Sequence, residues 1–227
     1  MKHRIMYQPS YSLLELTLED GESVLSETGA MVSMTPNIQL KTAARGGILG
    51  GLKRSLLGGE SFFINTFTCQ GGQGELTLAP TLSGDVMHAP MTGGSLYVQS
   101  GSYLAGSEAI TVDTKWGGAR TFLQGQGLFL LKCDGIGDLF LSSYGAIHAL
   151  ELAPGQQYVV DTGHVVAFDG TIDYKVRGSG GLKELFLSGE GLVCDFTGPG
   201  RLYLQTRSWQ SFLSFLVSKM PKNSGGS

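Results

Sequence analysis

The sequence predicts an all-β protein of three tandem units followed by one C-terminal helix. Three observations predict it. The phrase Gly-x-Gly-x-Leu-x-Leu occurs three times, with starts at Gly72, Gly135 and Gly198, an interval of 63 residues both times (72 to 135 to 198). Glycine makes up 35 of 227 residues, about twice its usual share and without a period of three, which means many turns and short strands rather than collagen. Beyond residue 208 the alternating pattern gives way to helical spacing.

In the repeated phrase, the glycines suit a tight turn with φ > 0, and the alternating leucines suit a half-buried strand. A spacing near 60 residues marks a duplicated unit. Ahead of the first copy, Leu14-Glu15-Leu16-Thr17-Leu18 alternates as a strand and runs into Asp20-Gly21, a hairpin signal. Val24–Met34 follows as a second strand and ends before Pro36. The same strand–turn–strand pattern returns at Leu96–Val98 with Leu104–Val112, and at Leu150–Leu152 with Val159–Phe168. Between it and the glycine phrase lies a glycine-flanked connector, Gly50–Glu60, matched by Gly180–Glu190 and more loosely by Gly117–Gln126. Each connector leads to an apolar strand (Phe62–Ile64, Leu128–Leu131, Leu192–Cys194), expected to form a hairpin across the Gly-x-Gly turn. The units fall at roughly 1–92, 93–147 and 148–207 in one body, with a helix over 208–221 and a tail over 222–227.

In the helix, Trp209, Phe212, Leu213, Leu216, Val217 and Met220 follow i, i+3, i+4, i+7, i+8 and i+11. Ser208 can cap its start and Pro221 stops it. The apolar face either packs on the sheet or meets a membrane interface or a partner. Lys219 is almost the whole charge of the polar face, which weighs against the membrane version.

Composition narrows the function classes. Hydrophobic residues at 41% and charged residues at 15% are ordinary for a globular chain. A net charge of −3 argues against a general nucleic-acid surface. Cys69, Cys133 and Cys194 lack CxxC spacing and fit free thiols in a reducing compartment. Met1–Tyr7 lacks an apolar signal-peptide core, and no apolar run approaches the ~20 residues that cross a bilayer. The expectation is a soluble cytoplasmic protein, with peripheral membrane contact left open.

Three phrases then carry a resemblance: Gly50–Phe63 (Gly-Gly-Leu-Lys-Arg-Ser-Leu-Leu-Gly-Gly-Glu-Ser-Phe-Phe), the triplicated glycine phrase, and Leu204-Gln205-Thr206-Arg207-Ser208. The chain resembles the mitochondrial-biogenesis (altered inheritance of mitochondria) family over about 10–207. The resemblance implies three β-rich units akin to the tryptophan RNA-binding attenuation protein fold, set about a pseudo-threefold axis. For the mitochondrial branch it implies a role in inner-membrane organisation, and for bacterial-type members no particular activity. RNA binding by such a ring needs basic residues at equivalent positions. The residues before each Leu-x-Leu are Glu75, Asp138 and Arg201, and the connectors share no basic face, so no nucleic-acid partner is expected.

Catalytic signatures are absent. Gly46–Lys53 lacks the Gly-Lys-Ser/Thr order of a phosphate loop, and neither Gly-x-Ser-x-Gly nor His-Glu-x-x-His occurs. Asp134 with Asp138, and Asp169 with Asp173, read as turn residues. One thiol per unit raises a soft-metal site on the axis, set against three buried structural thiols. The candidate interaction patch is Arg45, Ile48, Leu49, Leu52, Lys53, Arg54 and Leu56, together with Trp209, Phe212 and Leu216. The function expected is a non-enzymatic scaffold or assembly protein without a cofactor, homo-oligomeric and in contact with a membrane or membrane complex. The alternative is a small-ligand or metal-binding module with a cavity on the pseudo-threefold axis.

Overall fold

The computed structural model describes residues 1–44, 63–113, 129–178 and 192–220. These residues are mostly β, in several antiparallel sheets, with one helix at the C-terminal end. The first stretch carries β1 (Lys2–Met6), β2 (Leu13–Leu18), β3 (Ser23–Glu27), β4 (Met31–Met34), β5 (Ile38–Ala44), β6 (Phe63–Cys69) and β7 (Gly74–Leu78). The middle stretch carries β8 (Val86–Gln99), β9 (Tyr103–Ser107), β10 (Thr111–Asp113) and β11 (Leu130–Ser142). The last carries β12 (Ile147–Leu152), β13 (Gln157–Asp161), β14 (Val165–Asp169), β15 (Asp173–Gly178), β16 (Leu192–Thr197) and β17 (Gly200–Gln205). Helix α1 spans Trp209–Lys219.

The leucine alternation behaves as period-2 patterning requires. Leu14, Leu16 and Leu18 on β2 point inward, as do Leu76 and Leu78 on β7 and Leu139 and Leu141 on β11, all with no exposed surface. On β2 and β7 the residues between them are less buried, whereas on β11 Phe140, between the two leucines, is itself fully buried.

The expected hairpins do not form. β2 and β3 do not pair across Asp20-Gly21, nor β6 and β7 across Gly72-x-Gly74. Instead β2 pairs with β7 and β3 with β6, so two bent arms run side by side through the same corner. Gly21 N donates to Cys69 O at 2.9 Å, and Cys69 N donates to Glu22 O at 3.0 Å, tying the two bends together. In the last stretch β12 pairs with β17 and β13 with β16, and Gly155 and Gly198 tie the corner in the same way. In the middle stretch the arms are unbroken: β8 and β11 form one ladder with a single register shift between Asp134 and Ile136. The glycines therefore turn a strand from one sheet into another. A bend with φ > 0 is local chemistry, but which strand lies across it is decided by long-range pairing.

The second glycine of the phrase sits where nothing larger fits. A Cβ on Gly200, whose φ is +144°, would lie 2.7 Å from Thr171 Oγ1 and 2.9 Å from Ile172 Cγ1. On Gly74 it would lie 2.9 Å from Cys69 Sγ and 3.0 Å from Ile38 Cγ1.

The outer strands complete each pairing set. β4 adds to β7 and β5 to β6; β9 and β10 add to β11; β14 adds to β17 and β15 to β16. Two junctions then link the stretches, β3 with β9 and β8 with β14, each through three residue pairs. Buried apolar residues gather in three clusters, one largely within each stretch. In the last, Phe168 meets Phe196 edge to face at 5.1 Å.

Helix α1 starts where the sequence places it, with Ser208 Oγ accepting from Ser211 N. It does not pack on the sheet. None of its residues is buried; its apolar side chains stay exposed apart from the half-buried Leu216. Its first turn is held by Tyr144 against Phe212 (6.1 Å between ring centres) and by the buried Ser208.

Candidate functional site

Three features of the surface have functional geometry. The interaction patch expected from the sequence divides between the first of them, helix α1, and residues outside the described ones. Arg45, Ile48, Leu49, Leu52, Lys53, Arg54 and Leu56 lie outside the described residues. Trp209 and Phe212 are exposed on α1 and Leu216 is half-buried there, joined by Leu213, Phe215, Val217 and Met220, all exposed. An apolar helix free of charge except Lys219 therefore stands uncovered.

The second feature is a pair of open strands. At the two junctions the participating strands are covered: β9 and β14 each bury four of five residues, and β3 buries Val24, Leu25 and Ser26. β4 pairs with β7 as β9 does with β11 and β14 with β17, β13 pairs with β16 as β3 does with β6, and among the described strands β4 and β13 each lie at an edge of their sheet. All of β4 is exposed, with Val32 at 57%, and the first three residues of β13 are exposed, with Val159 at 55%. Beside β13 a groove of about 490 Å³ runs over β15 and β16, past Tyr158, Tyr174 and the Arg177–Asp195 pair. Arg177 Nε and Nη2 donate to the two carboxylate oxygens of Asp195 at 2.6 and 3.0 Å, and this holds the Asp195 carboxyl below the usual range.

The third feature, which the sequence did not reveal, is a cluster of His3, His88 and Asp138. His88 on β8 and Asp138 on β11 come together because Phe140 pairs with His88 and Pro90 with Asp138 in one ladder. His88 Nε2 lies 2.8 Å from Asp138 Oδ1. β1, paired along β2, carries His3 over them, with its ring centre 4.3 Å from that of His88. Phe140 floors both imidazoles, at 5.0 and 5.2 Å. One donor atom from each of the three residues lies within 4.8 Å of the others. The Met1 nitrogen reaches Asp138 Oδ2 at 3.2 Å and Glu22 Oε1 at 3.7 Å. Burial pushes the Asp138 carboxyl up, but the hydrogen bond with His88 and the Met1 ammonium outweigh it and hold the group below the usual range.

The three cysteines do not converge. Each belongs to a different core cluster, Cys69 in the first, Cys133 in the middle and Cys194 in the last. All three are free and buried, and burial pushes the Cys133 and Cys194 thiols up to about 12. No axial thiolate site exists, because each side chain points into its own sheet packing. Asp134, expected in a turn, lies instead inside β11 beside its register shift, where it accepts from Ser95 Oγ and pairs with Lys132 at 3.1 Å.

No helix among the described residues is long and apolar enough to cross a membrane. The chain is 31% identical over 232 residues to an uncharacterised protein of Streptococcus pyogenes serotype M6, a match covering 99% of this chain and 93% of that protein. Its fold is similar to the X-ray crystal structure of a Streptococcus pyogenes protein, with a TM-score of 0.81 and 29% identity over 96% of this chain and 99% of that one. The family model described as mitochondrial biogenesis AIM24 matches residues 3–207. On that match, which spans every described strand after its first residue, the chain belongs to the mitochondrial biogenesis AIM24 family.

Proposed function

We propose that this protein is a non-enzymatic assembly protein built of three successive copies of one β unit, and that it self-associates head to tail by pairing β13 of one copy with β4 of the next. One observation carries the reading: strands equivalent to these two are buried wherever they meet inside the chain, while these two are exposed. The recurrence of the same four pairings in each stretch supports the three-copy description. Neither edge carries lysine or proline, the usual guards against edge pairing. A contact between two different surfaces of one chain generates a ring or an open filament.

The uncovered helix supports the second half of the reading, contact with a membrane surface or membrane-bound partner. Its Trp209, Phe212 and Phe215 suit the boundary between headgroups and acyl chains.

Light scattering coupled to size exclusion tests the assembly. The wild type should run as a multimer, and Val32→Lys or Val159→Lys alone should shrink it. Mixing the two variants should restore one pairing and stop at a dimer, since each retains the opposite edge. A monomeric wild type sinks the proposal. Liposome flotation that is unchanged by Leu213→Glu sinks the membrane half.

A further inference from the structure

The geometry points to a divalent transition-metal site formed by His3, His88 and Asp138, on the seam where the first stretch meets the middle one. It stands apart from the assembly reading, since all three residues belong to one chain.

Two imidazoles and one carboxylate are a donor set for borderline ions such as Zn²⁺ and Co²⁺, whereas Mg²⁺ and Ca²⁺ prefer oxygen alone. A tetrahedral ion about 2.1 Å from each ligand places the donors roughly 3–3.5 Å apart. His88 Nε2 and Asp138 Oδ1 are already 2.8 Å apart, and all three residues place a donor within 4.8 Å of the rest. Small side-chain rotations therefore complete the site without backbone movement. The ion takes the place of the hydrogen between Nε2 and Oδ1, and a neutral His88 then carries its one hydrogen on Nδ1, leaving the Nε2 lone pair for the ion.

The framework is fixed before any ion arrives. His88 and Asp138 stand on the longest ladder among the described residues, and Asp138 N donates to Ser107 Oγ at 2.9 Å. Phe140, itself fully buried, supports both rings. The His88 and Asp138 side chains are 26% and 22% exposed, enough to admit an ion and leave a position for water. The Met1 nitrogen, itself beside Glu22, holds the other oxygen of Asp138 and leaves Oδ1 to face His88. What the site achieves is a clamp: an ion held by β1, β8 and β11 would fasten the N-terminal strand to the middle sheet.

The test begins with metal-free protein titrated with Co²⁺, followed by its visible ligand-field bands, and with Zn²⁺, followed by calorimetry. One ion should bind per chain, and the melting temperature should rise with Zn²⁺. His88→Ala and Asp138→Asn should weaken binding by more than about 100-fold, beyond the 10–100-fold cost of losing an outer-shell partner. His148→Ala, at an exposed position on β12, should change nothing. Should His88→Ala fail to fold, His3→Gln on the edge strand β1 must give the same loss with an unaltered circular dichroism spectrum. Absence of saturable Co²⁺ and Zn²⁺ binding by the wild type overturns the inference, as does equal binding by the wild type and the folded variants.

Discussion

Alanine at Gly200 separates two costs that the corner imposes. Gly200 has φ +144°, and a Cβ there would meet Ile172 Cγ1 at 2.9 Å and Asp169 Cβ at 3.2 Å. The nearest atom, Thr171 Oγ1 at 2.7 Å, belongs to an exposed side chain that can swing away; Ile172 is 3% exposed and cannot. Two reference sites carry one cost each. Gly72 has φ +109° with nothing within 4 Å of its Cβ position, so its alanine variant suffers backbone strain alone, about 1–3 kcal/mol. Gly74 has ordinary φ but crowded walls, so its variant suffers overpacking alone, about 1–3 kcal/mol. Gly200→Ala should combine them at roughly 3–5 kcal/mol, a large share of the 5–15 kcal/mol typical of a whole protein. For a chain of this length that lowers the melting temperature by about 10 °C. Urea unfolding of the three variants gives the comparison directly. If Gly200→Ala is no worse than Gly72→Ala, the steric argument for the second glycine is wrong.

Other expectations follow from buried groups. Burial pushes the Glu27 carboxyl up to about 7. A raised acid favours the folded state while protonated, so this contribution is whole below the unfolded value of 4.5 and is lost as pH rises through about 7. Stability should fall by about 2–3 kcal/mol across that window, and Glu27→Gln should flatten the profile, as denaturant titrations at each pH would show. Cys133 and Cys194, with thiols held near 12, should resist iodoacetamide at pH 8 in the native protein and react once urea unfolds it, read by mass spectrometry. Phe168→Ala should cost about 3–5 kcal/mol by chemical denaturation, because the ring has no exposed surface and packs on Tyr97, Tyr174 and Phe196.

Much of the local structure was legible in the sequence. Alternating leucines mark β2 and β7 because a strand with one buried face must repeat every two residues, and they mark β11 too, although its Leu139–Leu141 segment is buried on both faces. Ser208 and the spacing of apolar residues mark α1 for an equally local reason. Partnership was not legible. Asp20-Gly21 looks like a hairpin turn and is a corner, because a bend specifies its own dihedrals and not the strand lying across it. The His3–His88–Asp138 cluster needs both the β1–β2 register and the β8–β11 register, which join residues far apart in the chain. The exposure of α1 was equally hidden: the spacing of Trp209, Phe212 and Leu216 is the same whether or not something covers them.

The unbroken β8–β11 ladder has a consequence for how this molecule comes apart. β11 supports β9, which holds β3, and β8 holds β14. Both ends of the body therefore hang on the centre. In a stacked solenoid, terminal modules fray while inner ones persist; here loss of the central ladder releases both ends together. Amide exchange should report one shared opening free energy from β3 to β17, and a fragment ending before β8, which lacks the central ladder, should not be independently stable.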